Sequence, residues 1–245
     1  MQKLLEVMDI SKEYGNTRIL NNISFNVSRG EFIVIMGSSG AGKTTLLNCI
    51  SGMDSISSGN IQYQGRSIKK SNDKQLAQFR SKEIGFVFQD FQLIDDVTLI
   101  DNLLLRGYLV QKKKAAIKKA YDLLKQLDLW KVKDNYSDEL SGGQKQRGAI
   151  ARALMNDPKI IFADEPTGSL NSKAGKNVLN TLYKINKQYN TTIVMVTHDV
   201  KAAVYGSKVI YLSDGEILDK FEFLNSQVSE DRIKKLNQFL DKLGW

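Results

Sequence analysis

Residues 32–50 read FIVIMGSSGAGKTTLLNCI. Five apolar residues in a row suit a strand buried on both faces, and the eight that follow, GSSGAGKT at 37–44, satisfy G-x-x-x-x-G-K-[ST]. Such a loop must curl tightly, and its glycines leave no side chain between backbone amides and a phosphate oxygen. The helix predicted over 43–50 opens with N–H groups that have no partner inside the helix and favour an anion. Lys43 supplies a mobile cation to the outer phosphates of a nucleotide, and the Thr44 hydroxyl is a ligand type for Mg²⁺. Strand, loop and helix in this order predict a nucleotide site on an α/β core.

Two further runs, IIFA at 160–163 and TIVMV at 192–196, share the continuous apolar character of FIVIM. Runs of this kind fit a largely parallel sheet covered on both faces, and a helical pattern over 173–189 precedes the last of them. Other strand character falls at 4–10, 23–27, 61–63, 85–88, 208–212 and 216–218. From about 93 to 140 the chain has no strand character and is rich in Leu, Lys and Ala, which predicts a helical insertion. Within it QKKKAAIKK, 111–119, holds five lysines and reads as one solvated helix face. The last segment, SEDRIKKLNQFLDKLGW, sets Ile233, Leu236, Leu240 and Leu243 along one stripe of a helix expected to pack on the core.

The ends of the apolar strands carry the candidate chemistry. IIFADEP ends in Asp164, placed to hold a hydrated Mg²⁺, with Glu165 one residue on to orient the attacking water and take its proton. His198, the single histidine of the chain, ends TIVMV. Ligands of an open α/β sheet collect at the carboxyl ends of the strands, so His198 is expected to reach the terminal phosphate. Gln89 follows GFVF and is a candidate for the metal or the attacking water. Tyr14, in KEYG, is either plain packing or an aromatic face for adenine.

Composition bounds the rest. The 245 residues are 42% hydrophobic and 25% charged, which excludes a disordered, collagenous or disulfide-built chain. The single cysteine, Cys49, has no internal partner, and a reducing compartment is expected. No apolar run approaches the roughly 18–20 residues that cross a bilayer. Glu6 and Asp9 interrupt the amino terminus before a signal peptide could form, and a cytoplasmic location is expected. Thirty-five basic against 27 acidic residues give a formal charge of +8. A solvated basic surface, an anionic membrane face and nucleic acid all fit that charge, and it does not choose among them.

Between the phosphate loop and IIFADE stands LSGGQKQR, 140–147. It resembles the signature of the ATP-binding-cassette (ABC) ATPases. Nearly the whole chain shares the resemblance: Tyr14 matches the aromatic loop, GSSGAGKT the Walker A loop, Gln89 the Q-loop, LSGGQ the signature, IIFADE the Walker B strand and His198 the switch histidine. The resemblance implies a P-loop NTPase core with an antiparallel β subdomain and an inserted α-helical subdomain. The ATPase domain would cover 1–222, with the helical subdomain at about 90–157, and a helical extension would follow over 223–245.

The implied cofactors are ATP and Mg²⁺, and the implied reaction is ATP hydrolysis. Gly37, Ser38, Ser39, Gly40, Ala41, Gly42, Lys43, Thr44 and Thr45 would bind the phosphates, and Tyr14 the adenine. Thr44, Gln89 and Asp164 would serve the metal. Glu165, His198, Lys43 and Gln89 would be catalytic. Ser141, Gly142, Gly143 and Gln144 would meet the nucleotide of a second copy, so that a head-to-tail homodimer encloses two ATPs. The chain departs from the family at GSLN, where Asn171 stands in the usual place of the D-loop aspartate. An amide still hydrogen-bonds there but carries no charge.

The segments LAQFRSKEIGFVFQDFQLIDDVTLIDNLLL and ADEPTGSLNS resemble the macrolide-exporter, lipoprotein-release and bacitracin-resistance ATPases. The terminal helix favours the bacitracin and lantibiotic members. That resemblance implies a separate integral-membrane permease as partner, docked by residues 89–107, with the ATPase held at the cytoplasmic face of the membrane. The alternative is a cell-division or lipoprotein-release ATPase that regulates an envelope process. A DNA-repair ATPase is disfavoured because the phosphate loop and signature lie too close for an intervening coiled coil, and no nucleic-acid partner is expected. A non-hydrolysing regulator is disfavoured by the intact Lys43, Asp164, Glu165 and His198.

Overall fold

The computed structural model describes residues 2–68, 72–223 and 227–245. Of the expected extension over 223–245, residues 224–226 lie outside the described residues. The strands are β1 (Lys3–Tyr14), β2 (Thr17–Ser28), β3 (Phe32–Met36), β4 (Ser58–Tyr63), β5 (Arg66–Ser67), β6 (Ile84–Val87), β7 (Ile160–Asp164), β8 (Thr192–Thr197), β9 (Lys208–Ser213) and β10 (Glu216–Glu222). The α-helices are α1 (Lys43–Ile50), α2 (Asp73–Glu83), α3 (Leu99–Tyr108), α4 (Lys113–Gln126), α5 (Gly142–Leu154), α6 (Ser172–Tyr189), α7 (Val200–Ala203) and α8 (Glu230–Asp241). They fall into two compact units, Met1–Leu76 with Thr192–Trp245, and Ala77–Thr191.

In the first unit, β2, β1, β4 and β5 form an antiparallel sheet in that order, the β subdomain that the family resemblance implies. A second sheet runs β10-β9-β3-β8, in which β3 lies parallel to both β9 and β8, and β10 returns antiparallel. Every residue of β3 and β8 is buried, as two-sided cover requires of FIVIM and TIVMV. The β3–β8 register pairs Met36 with Thr197. Gly37 and His198 therefore leave adjacent strands at the same end.

In the second unit, β6 and β7 pair in parallel, with Val87 opposite Ala163. Helices α3, α4 and α5 pack on one another, and α5 also packs on α6 and β6. Helix α4 buries Ala116, Ala120, Leu123 and Leu124, one face at i, i+4, i+7 and i+8, while Lys112, Lys113, Lys114 and Lys118 lie exposed. The lysine run is thus a solvated face; its fifth member, Lys119, pairs with Asp157 at 2.6 Å. Asn102, buried on α3, accepts from the Ile94 amide at 2.8 Å and donates to the Ile94 and Thr98 carbonyls at 3.0 and 3.1 Å. It thereby closes the loop that follows β6, and Thr98 caps α3 by accepting from Asp101 N.

Three features differ from the sequence reading. Helix α2 buries none of its residues and so carries no apolar stripe from which to predict it. The apolar stripe of the last segment is shorter than expected: Leu236 and Leu240 are fully buried, Ile233 is half-buried, and Leu243 lies beyond the end of α8. The unexpected anchor is Arg232, only 4% exposed. Its guanidinium lies 3.9 Å from the Phe223 ring centroid and donates to the Val204 carbonyl at 2.5 Å, tying α8 to the turn after α7. A buried charge-assisted hydrogen bond and a desolvated cation–π contact each contribute about 2 kcal/mol. Arg232→Ala is expected to lower the unfolding free energy by about 2–3 kcal/mol and Tm by roughly 5–10 °C in a thermal melt. An unchanged Tm would show that the guanidinium anchors nothing.

Candidate functional site

The phosphate loop of the first unit is built by the end of β3 and the start of α1. Gly37 is forced by its neighbour: a Cβ there would stand 2.2 Å from the Leu212 carbonyl oxygen of β9. Gly42, the N-cap of α1, has φ 94° and provides no side-chain acceptor for the first turn. Gly42 itself therefore sets no side-chain cap against the amides of that turn, the arrangement that favours an anion at a helix start. Lys43 is 7% exposed and folds back so that its ammonium donates to the Gly37 and Ser38 carbonyls at 2.9 and 2.7 Å. The loop thus wraps a fixed positive charge, while Ser38, Ser39, Gly40 and Thr44 are exposed around it. A glycine-lined turn, a helix start with glycine as its N-cap and an enclosed ammonium fit a polyphosphate. Ala41 is buried beneath the loop, and Thr45 is half-buried on α1.

His198 follows β8, exposed, and the turn after it is fixed by Asp199. The Asp199 amide donates to Thr197 Oγ at 3.0 Å, and its carboxylate accepts from Lys201 N at 2.7 Å to start α7. With Met36 paired to Thr197, His198 stands at the strand end from which the phosphate loop departs. Tyr14, at the end of β1, is 49% exposed, as a stacking face must be.

In the second unit the acidic pair ends β7, with Asp164 and Glu165 both half-buried. Glu165 adopts φ 39°, a left-handed conformation that costs a non-glycine residue free energy and clusters at functional sites. Its carbonyl accepts from the Gly168 amide at 2.9 Å, closing a tight turn. Gln89 lies on that turn: a Cβ added to Gly168 would meet Gln89 Nε2 at 2.9 Å, and Ser169 Oγ donates to the Gln89 carbonyl at 3.4 Å. Gln89 and the acidic turn thus form one assembly at the ends of the paired strands β6 and β7.

Helix α5 begins at the signature. Ser141 is exposed and caps it reciprocally: Ser141 Oγ accepts from Gln144 N at 3.4 Å, and Gln144 Oε1 accepts from Ser141 N at 2.8 Å. The cap uses the oxygen as an acceptor, so the hydroxyl proton can still be given to a phosphate. Gly142 and Gly143 leave little space, with Leu170 and Ala174 atoms 3.0 and 3.3 Å from an added Cβ. Asn171 caps α6, its side chain accepting from Ala174 N at 2.9 Å. Asn and Asp are about equally good caps, so Asn171 serves this local role as well as the aspartate would.

Two residues of this unit escaped the sequence reading. Gln146 is fully buried, and its Nε2 donates to the Phe88 and Pro166 carbonyls at 3.1 and 2.8 Å. It joins the signature helix to the chain beside Gln89 and to the turn beside Glu165. Arg152 donates to the Phe91 carbonyl at 3.0 Å and to that of Gln92, holding two consecutive residues with positive φ. Their only signal is position: polar residues within the apolar pattern of a helix, in LSGGQKQRGAIARAL.

Of the donors expected for Mg²⁺, Thr44 is exposed at the start of α1, Asp164 ends β7 half-buried, and Gln89 follows β6. Among the described residues no three His, Cys, Asp or Glu side chains cluster to hold a metal. Such a sparse donor set suits Mg²⁺, which keeps waters and is shared between one or two protein oxygens and a nucleotide's phosphates.

A phosphate loop at the end of a buried parallel strand, with an acidic strand end and a helix-capping signature, defines a P-loop nucleoside-triphosphatase. The family model described as ABC transporter matches residues 20–168. The chain belongs to this ABC transporter family and is one of its ATP-hydrolysing cassettes, acting on ATP with Mg²⁺. It is 45% identical over 219 residues to the bacitracin export ATP-binding protein of Halalkalibacterium halodurans, covering 87% of each chain. It is 39% identical to the lipoprotein-releasing system ATP-binding protein of Cytophaga hutchinsonii, covering 89% of this chain and 100% of that one. Among solved structures, an ATP-binding cassette in a dimeric post-hydrolysis state bound to ADP and phosphate matches with a TM-score of 0.83 at 36% identity. That match covers 91% of this chain and 100% of the other. No helix among the described residues is long and apolar enough to cross a membrane.

Proposed function

We propose that this cassette is the motor of a separate membrane permease of the bacitracin-export kind, and that two copies pair head to tail around two ATPs. The observation that carries the reading is that the chain holds one phosphate loop and one signature, the latter a helix start where Ser141 is exposed with a hydroxyl proton to give, Gly142 and Gln144 are half-buried and Gly143 is buried. Each motif needs a nucleotide, and a second copy supplies both with one. In the closed pair Gly37 to Thr45 bind the phosphates and Tyr14 stacks on adenine. Ser141, Gly142, Gly143 and Gln144 reach the γ-phosphate held by the partner chain.

Thr44, Gln89 and Asp164 would hold Mg²⁺, which would offset phosphate charge. Glu165 orients the attacking water and accepts its proton, and His198 contacts the γ-phosphate as charge develops on it. Loss of that phosphate removes part of the clamp, and the pair reopens. The ATPase domain is 1–222, with a helical subdomain at about 90–157 and an extension over 223–245. The permease docks at 89–107, where Leu105 of α3 is an exposed apolar residue, and exposed Tyr108, Leu109 and Val110 follow that segment in the chain. The complex sits at the cytoplasmic face of the membrane.

Similarity to a bacitracin export protein supports the substrate class, and similarity to lipoprotein-releasing proteins supports an envelope process as the second reading. Cells in which the gene is deleted or carries Glu165→Gln are expected to become more sensitive to bacitracin, with growth restored by the wild-type copy. Unchanged sensitivity together with mislocalised lipoproteins would overturn the first reading in favour of the second.

A further inference from the structure

Tyr14 does not stand alone. Its hydroxyl donates to Asp54 Oδ2 at 2.5 Å, and the Lys12 ammonium lies 4.6 Å from its ring centroid. Lys12 is only 5% exposed and donates to Asp54 Oδ1 at 2.7 Å and to the Ser55 carbonyl at 2.6 Å. The same Oδ1 accepts from the Ser55 amide at 2.7 Å. One face of the ring is covered by a buried cation while the residue as a whole remains half exposed.

Asp54 is itself fixed to the helix that begins at the phosphate loop. The amides of Met53 and Asp54 donate to the Asn48 carbonyl of α1 at 2.9 and 3.1 Å, and Ser51 Oγ donates to that carbonyl at 3.0 Å. Helix α1, 8 residues long, therefore carries Lys43 at one end and, just past the other, the carboxylate that grips Tyr14. The grip holds throughout the neutral range. The hydrogen bond to Asp54, with burial and the nearby negative charge, pushes the Tyr14 phenol up to about 12. Burial would raise the Asp54 carboxyl, but the bonds from Lys12, Tyr14 and Ser55 outweigh it and hold it below the usual carboxylate value.

We propose that Asp54, braced by Lys12, is a positioning residue for base recognition: it clamps the Tyr14 hydroxyl and sets the ring at a fixed place relative to the phosphate loop. The proposal rests on the reading of Tyr14 as the adenine platform. It makes Tyr14 more than an aromatic surface, because a freely rotating ring would lose the stacking entropy that a clamped one has already given up.

Calorimetric titration of Tyr14→Ala, Tyr14→Phe and Asp54→Ala with Mg–ATP and with inorganic tripolyphosphate separates the contributions. All three substitutions are at solvent-accessible positions, and the base-free probe reports on the phosphate loop alone. Tyr14→Ala is expected to weaken ATP about tenfold, the scale of one lost base–aromatic stack. Asp54→Ala and Tyr14→Phe are expected to lose most of that factor, and their combination no more than either alone, with tripolyphosphate bound as by wild type throughout. Wild-type ATP affinity in both Asp54→Ala and Tyr14→Phe, alongside a weakened Tyr14→Ala, would overturn the clamp while sparing the platform. Wild-type affinity in Tyr14→Ala would overturn the platform and the clamp with it. Equal weakening of ATP and tripolyphosphate in Asp54→Ala would show that Asp54 supports the loop rather than the base.

Discussion

Glu165→Gln is expected to lower steady-state ATP turnover about 100- to 10,000-fold, the contribution of a positioned general base, while ATP still binds. The substitution keeps the size of the side chain and removes its negative charge and with it the capacity to take a proton. The turn that carries it is held by backbone: the Glu165 carbonyl accepts from Gly168 N, and Gln146 fixes the adjoining Pro166 carbonyl from below. Neither contact depends on the carboxylate, so the loop should keep its form with φ still near 39° at this position. The loss should therefore appear in kcat, with KM little altered. Phosphate release in a coupled assay measures it, and turnover within a few-fold of wild type would remove Glu165 from the proton-accepting role.

Lys43→Ala should act one step earlier, on binding. The ammonium sits inside the loop on the Gly37 and Ser38 carbonyls and is 7% exposed, so its charge is shielded little by solvent. Truncating a buried, hydrogen-bonded charge that faces an anion costs about 2–4 kcal/mol, roughly 30- to 1,000-fold in Kd. Two loop carbonyls also lose their donor, which adds to the cost by loosening the curl around Gly37. Titration with a fluorescent ATP analogue reads the change directly. An affinity equal to that of wild type would mean that the loop's amides and the start of α1 bind the phosphates unaided.

The two expected losses separate the two halves of the chemistry. One lies in the first unit and is expected to remove charge from the ground state of binding; the other lies in the second and is expected to remove a base needed only as water attacks. Residues legible in the sequence are those whose neighbours in the chain explain them. FIVIM, IIFA and TIVMV declare their burial because two-sided cover demands an unbroken apolar run, and β3, β7 and β8 are buried along nearly their whole length. The phosphate loop is legible for the same reason, since the strand before it and the helix after it are local. His198 could be placed because its strand could, and the β3–β8 register puts it where the loop departs.

What the chain order hides is long-range or polar. Helix α2 has no buried face, so no periodicity marks it. Gln146 joins α5 to residues 88 and 166, and Arg232 joins α8 to residues 204 and 223. In each case a buried polar side chain donates to distant carbonyls, and no local pattern encodes those partners. Asp54 is hidden in the same way, more than thirty residues along the chain from Lys12 and Tyr14. Asn171 shows the converse. A residue that departs from the usual family aspartate keeps the local role of capping α6, which either side chain fills.

Head-to-tail pairing is the claim on which the remaining roles depend, because it is what would bring the signature of one copy to the nucleotide of the other. Sedimentation equilibrium of Glu165→Gln with saturating Mg–ATP, with nucleotide counted in the same sample, tests it most directly. The account predicts a species of two chains holding two ATP molecules, formed with ATP and absent with ADP. A single chain that remains monomeric with its ATP site filled would contradict it.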